Sequence, residues 1–261
     1  MRRALPLACL GLLLLPAVAG AAPFTARYEV RAAGLPLMRG EVVFDLGEAE
    51  YRLSGRLRAV GLVGLVVGGG QESSVEGRWQ GARPVPRHFR SESTWYGRPQ
   101  RVAMDYPVPG RPEPRLLDPP VLPDREPVPP ELRHGTMDSL SALAKLTRAV
   151  ALTGRCDGAV ATFDGRWRTD IAARSLGTER IPEAGEALRC ALEGRMRAGW
   201  RRDRDPADAA RPHPATAWLA SLGPGGTPVP VRVDVPSRWF GFFRIVLVGL
   251  EPGGEGHARS P

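Results

Sequence analysis

Apolar and polar residues alternate from Phe24 onward: Phe24, Ala26, Tyr28 and Val30 fall on one side of an extended chain, Thr25, Arg27 and Glu29 on the other. A period of two marks a strand half-buried against a core. After a turn at Gly34-Leu35-Pro36 the pattern resumes with Met38, Val42, Phe44 and Leu46 inward and Arg39, Glu41 and Asp45 outward. A third strand places Tyr51, Leu53, Leu57 and Ala59 opposite Arg52, Ser54, Arg56 and Arg58. Short turns between strands with one polar face describe an antiparallel meander. It extends through 73–80, 87–96 and 100–106.

The period changes at Thr136–Thr153, where Leu140, Leu143, Ala144, Leu146 and Val150 share one helical face. Thr136 or Asp138 can cap its start and Gly154 can end it. Further on, 159–163 and 166–171 flank Asp164-Gly165, a two-residue hairpin signal. Leu188, Cys190, Leu192 and Met196 alternate with Arg189, Glu193, Arg195 and Arg197, and strands follow at 229–235 and 242–250. Between the meander and the helix, 107–130 holds ten prolines in 24 residues, a composition that excludes a central strand and predicts an extended surface connection. The fold expected is mainly β (α+β): about eleven strands in a curved antiparallel sheet or partly closed β-barrel wrapped around one α-helix. One β-rich domain is expected over 22–261, ending in a flexible tail at 251–261.

Two segments break the alternation. Val60, Leu62, Val63, Leu65, Val66 and Val67, set among glycines, are apolar on both faces of any strand. They read either as a strand sandwiched between sheet and helix or as an apolar lip at a cavity mouth or a membrane surface. Trp239-Phe240-Gly241-Phe242-Phe243 presents the same choice between core and pocket. One helix offers too little surface to cover so many strands, which predicts a dry space for an apolar molecule near Leu62, Leu65, Val66, Phe240 and Phe243.

The N-terminus adds an address. Arg2 and Arg3 precede a charge-free, leucine-rich run over 4–18, and small residues at Ala17, Ala19 and Ala21 suit a signal peptidase. Cleavage is expected near Ala21, giving a periplasmic or secreted protein. Cys9 lies inside the apolar run, with most of that run after it, which argues against a lipoprotein. No later run is long enough to span a membrane, so membrane contact is peripheral at most. Cys156 and Cys190 remain after cleavage, and an even pair in an oxidising compartment reads as a disulfide. The net charge of +8 is spread along the strands, and Lys145 is the only lysine. Arginines without clustering, in an exported chain, do not indicate nucleic acid.

The sequence carries no recognisable catalytic motif. His88, His134, His213 and His257 have no second ligand at helical or strand spacing, so no metal site is expected. Asp203, Asp205 and Asp208 lack the glycine and terminal glutamate of a calcium loop. The Gly61–Gly70 stretch has no following lysine and is no phosphate loop. No nucleophile elbow occurs, and the serines of Ser91-Glu92-Ser93 sit on a strand. No cofactor is implied.

Tyr28-Glu29-Val30 with Gly34-Leu35-Pro36 and Arg39-Gly40-Glu41, then Ser91-Glu92-Ser93, Asp138-Ser139-Leu140-Ser141-Ala142-Leu143, Cys156-Asp157-Gly158 and Phe163-Asp164-Gly165-Arg166, occur in an order that resembles a family of exported bacterial proteins known only as a domain of unknown function. Members often carry proline after the aspartate that opens the helix, where this chain has Ser139. The resemblance implies a periplasmic β-rich protein without assigned catalytic residues. Its expected architecture is similar to periplasmic carriers of lipoproteins and lipids. The leading expectation is therefore a non-enzymatic protein that binds an apolar envelope molecule or serves as an envelope structural or assembly factor, with that molecule or an envelope protein as its partner. The alternative is an envelope or cell-wall hydrolase, which would need a histidine, a carboxylate and a serine brought together from separate strands.

Overall fold

The computed structural model describes residues 22–253 except 183 and 240. Its strands are β1 (Phe24–Ala32), β2 (Leu35–Leu46), β3 (Glu50–Ala59), β4 (Gly69–Gln80), β5 (Arg83–Trp95), β6 (Arg98–Val108), β7 (Arg111–Asp118), β8 (Thr136–Met137), β9 (Gly158–Phe163), β10 (Arg168–Ile181), β11 (Gly185–Ala198), β12 (His213–Gly223), β13 (Thr227–Ser237) and β14 (Gly241–Pro252). They form one sheet in the order β7-β6-β5-β4-β3-β2-β1-β14-β13-β12-β11-β10-β9-β8. Each strand up to β7, and each from β9 to β14, pairs with its sequence neighbour, and β1 pairs antiparallel with β14 to join the two meanders. The sheet curls until its ends meet. Gly135 N–H donates to Gly110 O at 2.7 Å, Arg166 Nη2 donates to Pro119 O at 2.7 Å, and a Cβ on Gly165 would strike Val102 at 2.6 Å. These are loop and side-chain contacts without a ladder, so the barrel is nearly closed.

The inward positions are those that the alternation selects. Phe24 and Phe44 stack at 5.0 Å, and Leu53, Val75, Phe89 and Met104 continue the buried row across β3 to β6. Helix α2 (Ser139–Thr153) lies inside the curl, with every residue from Leu140 to Val150 at least half-buried. Asp138 caps it, its Oδ1 accepting from Ser141 N, and Gly154 ends it in the left-handed conformation with its N–H donating to Val150 O. Ser141, Ala144, Thr147 and Val150 are its most buried face. Room for the helix comes partly from Gly77, where a Cβ would meet the Tyr51 ring at 2.6 Å. The ring can therefore lie flat across β4 and send its hydroxyl to Ser141 Oγ, 2.7 Å away.

Several expectations need correction. Residues 61–67 are not a strand between sheet and helix. They form α1 (Gly61–Val67), a second helix with no buried residue, entered at Gly61 (φ +60) and left through Gly68 (φ +49) and Gly69 (φ +109). Those positive φ values stop both flanking strands. The proline-rich segment is not a connection throughout, because 111–118 is β7; prolines are tolerated there as it lies at the end of the strand order. The helix begins at Ser139, Thr136 being in β8, and β8 pairs parallel with β9. The turn between β9 and β10 spans four residues rather than two. Asp164 Oδ1 holds it by accepting from Arg166 N (2.8 Å) and Trp167 N (3.0 Å), with only Gly165 at positive φ. Strand β12 carries no alternating pattern, because Ala217 to Ala220 are all buried in succession. The Trp218 ring is sealed by the guanidiniums of Arg232 (4.5 Å) and Arg189 (5.8 Å) and donates to Glu179 Oε2. Glu251 and Pro252 belong to β14, and the expected tail beyond 253 lies outside the described residues, as does 1–21.

Candidate functional site

Opposite its buried face, α2 presents Ala142, Leu143, Leu146 and Ala149 toward β9, β10 and β11. The facing wall consists of Ala159, Val160, Ile171, Ala173 and Leu192, with Cys156, Gly158 and Asp157 at one end, the Asp157 carboxylate being engaged by Arg155 and Ser175. Ala173 pairs across the ladder with both Gly158 and Leu192, so small side chains stand opposite the small side chains of the helix. The apolar side chains of the two walls leave an open cleft of about 200 Å³ between them. Its lining offers water almost no hydrogen-bond partner, which makes it a site for carbon.

One end of the cleft is fastened by two features. Cys156 and Cys190 are joined by a disulfide with Cα atoms 6.3 Å apart, fastening the chain after α2 to β11. Cys156 N also bonds Ser175 Oγ (2.9 Å), which in turn donates to Asp157 Oδ2 (2.8 Å). Beneath the disulfide Val150, Ala217 and Leu219 close a second core cluster. At the edge of the cleft Lys145 Nζ donates to Ala159 O at 2.8 Å. Burial, followed by the nearby Arg83 charge, lowers the Lys145 pKa from its ordinary value.

The residues expected to bind an apolar molecule are placed elsewhere. Leu62, Leu65 and Val66 lie on α1 at one end of the barrel, where α1 touches β2 and β3, and none of the three lines the cleft beside α2. Phe243 is half-buried on β14 opposite Ala32, and Phe240 is outside the described residues. The cleft was missed because alanines and one lysine carry no sequence signal. Paired alanines on a helix and on strands that face it were the available trace.

The polar groups do not assemble into a triad among the described residues. His88 Nδ1 lies 2.8 Å from Asp105 Oδ1 on an exposed ladder, and Arg115 Nε holds the other carboxylate oxygen at 2.8 Å. Both neighbours hold the Asp105 pKa below the ordinary range, His88 more strongly than Arg115. No hydroxyl bonds His88, so the pair lacks a nucleophile. The buried chain Tyr51–Ser141–Asp138 has hydroxyls and a carboxylate but no access: Asp138 and Ser141 are fully buried. No group of three metal-ligating side chains occurs among the described residues, and none of their helices is long and apolar enough to cross a membrane.

No curated protein matches the sequence. Among solved structures, the chain is similar to a crystal structure of a beta-barrel-like protein of domain of unknown function DUF1849 from Brucella abortus, at 12% identity over 90% of this chain and 99% of that one, with a TM-score of 0.49. The family described as protein of unknown function, DUF3108, matches residues 27–248. The match takes in both meanders, the enclosed helix and the cleft, and the chain belongs to the DUF3108 family.

Proposed function

We propose that this protein is an exported, non-enzymatic binding protein whose ligand is an apolar chain held between α2 and β9–β11. The carbon-lined, open cleft carries the reading. At about 30 Å³ per methylene-sized group, about 200 Å³ admits a segment of six or seven carbons. Burial at about 0.8 kcal/mol each sets an upper limit of roughly 5 kcal/mol before the costs of association, so the dissociation constant is no tighter than about 0.2 mM. Lys145, with Arg83 nearby, offers a cation to an anionic head group at the cleft edge. Export is supported by the N-terminal charge and apolar pattern and by a disulfide that suits an oxidising compartment.

Octanoate is a suitable probe. Titrated into the protein and followed by methyl NMR, it should perturb Leu143, Leu146 and Leu192 and bind more tightly than octylamine. Ala173→Leu fills the cleft without adding charge and should abolish the perturbation. Octanoate binding that survives Ala173→Leu unchanged would overturn the reading.

A further inference from the structure

Strand directions bring the β9–β10 turn, the 199–212 connection and four further connections to one end of the barrel. The β1–β2 turn, α1, the β5–β6 turn and the β13–β14 turn all follow from adjacent strands in the order β13-β14-β1-β2-β3-β4-β5-β6. They are tied together by backbone: Val60 N–H donates to Leu37 O (2.9 Å), Tyr96 N–H to Val67 O (2.9 Å), and Ala32 pairs with Phe243.

Helix α1 is oriented against the usual rule. Val63, Gly64 and Val67 face the barrel, whereas Leu62, Leu65 and Val66, spaced i, i+3, i+4, point out with relative exposures of 78%, 83% and 77%. The same end exposes Leu35, Tyr96 (69%), Trp239 (87%) and Phe242. Scattered exposed apolar residues are ordinary, but a contiguous set on a helix and its neighbouring turns marks an interaction surface.

The charge around it identifies the partner. On the side of the rim that carries α1, segments 31–39, 57–71, 94–101 and 235–244 together contain seven arginines and neither aspartate nor glutamate, while Asp203, Asp205 and Asp208 lie on the 199–212 connection elsewhere on the rim. Four of the seven reach acids on other segments: Arg31 and Arg39 reach Glu29, Arg101 reaches Asp118 and Arg244 reaches Asp234. Among the described residues Arg58, Arg98 and Arg238 make no ion pair, and they stand beside α1, Tyr96 and Trp239 respectively. A protein partner would supply discrete acids opposite discrete cations. Diffuse cations interleaved with leucine, tyrosine and tryptophan fit instead an interface with carbon below and phosphate above, where aromatic rings and arginine stems each span the boundary. We infer that this rim docks on an anionic phospholipid bilayer, with α1 and Trp239 entering the interface and Arg58, Arg98 and Arg238 meeting lipid phosphates.

The test uses the full chain with vesicles of phosphatidylcholine alone or mixed with phosphatidylglycerol, some lipids carrying brominated acyl chains. Trp239 fluorescence, taken as the difference between the parent and Trp239→Phe, should be quenched by brominated mixed vesicles and far less by neutral ones. This readout is local, so an apolar N-terminal run common to both proteins does not contribute to it. Arg58→Gln or Arg98→Gln should each weaken partitioning about fivefold, and salt should weaken it further. Leu65→Asp should lower it by roughly tenfold or more while leaving the far-ultraviolet circular dichroism unchanged, because the residue is 83% exposed. Ala173→Leu, which fills the cleft beside α2, should leave vesicle binding intact, so failure of either proposal is read separately. Absent quenching of Trp239, equal quenching by neutral vesicles, or a dimer in sedimentation that Leu65→Asp dissociates without any vesicle binding would each overturn the inference.

Discussion

Asp138 offers a quantitative probe of how the enclosed helix is held. Its carboxylate is 0% exposed, with Oδ1 accepting from Ser141 N at 2.8 Å and Oδ2 from Ser141 Oγ at 2.6 Å. Because Ser141 spends its proton on Asp138, Tyr51 Oη must be the donor in the 2.7 Å contact with Ser141 Oγ. Desolvation outweighs these donors and pushes the Asp138 pKa from 3.8 up to about 6. Ionisation is thus harder in the folded state than in the unfolded chain. Between the two values the folded protein holds a proton that the unfolded chain has lost, so stability falls as pH rises through this window. The gap corresponds to about 3 kcal/mol, fully present below pH 4 and gone above pH 6. Asp164, buried and likewise raised to about 6 mainly by desolvation, adds a term of the same sign. Carboxylates held low by arginine or histidine, such as Asp105 and Asp234, lose their contribution only nearer pH 4 and below. The protein should therefore become more stable from pH 7 to pH 5. Asp138→Asn keeps an oxygen for Ser141 N but cannot ionise, and should remove about half of that gain. Urea unfolding at pH 7, 6 and 5, followed by tryptophan fluorescence, reads the slope directly. An unaltered slope in Asp138→Asn would refute the argument, as would a parent whose stability falls steadily from pH 7 to pH 5.

Removing the Cys156–Cys190 link by replacing both with alanine should lower the unfolding free energy by about 4 kcal/mol, the loop entropy for a separation of 34 residues; a loss below about 1 kcal/mol in urea denaturation would show that the bridge hardly constrains the unfolded chain. Gly77→Ala places a methyl 2.6 Å from the Tyr51 ring and should cost roughly 1–3 kcal/mol by overpacking, with loss of the Tyr51–Ser141 contact; an unchanged melting temperature would count against the account of how the helix is seated.

The alternation of Phe24 to Val30, Met38 to Leu46 and Tyr51 to Ala59 was enough to establish strands, their buried faces and an antiparallel meander, because a period of two has a single physical meaning in a half-buried sheet. The α2 helix and the disulfide pairing were legible for similar reasons: a helical stripe closed by Gly154, and two cysteines outside the N-terminal apolar run that form an even pair. What the sequence could not express was where apolar residues go when periodicity is lost. Ala217 to Ala220 are buried on both faces because arginines cover Trp218, while Leu62, Leu65 and Val66 are exposed because Gly61 and Gly68 turn the chain into a helix whose outer face no described residue covers. Hydrophobicity reports the cost of exposure and not its occurrence. The cleft lay further out of reach, since it exists through the meeting of Ala142 and Ala149 on α2 with Ala159 and Ala173 on distant strands. An empty volume belongs to no residue, and only the tertiary packing of both walls decides it.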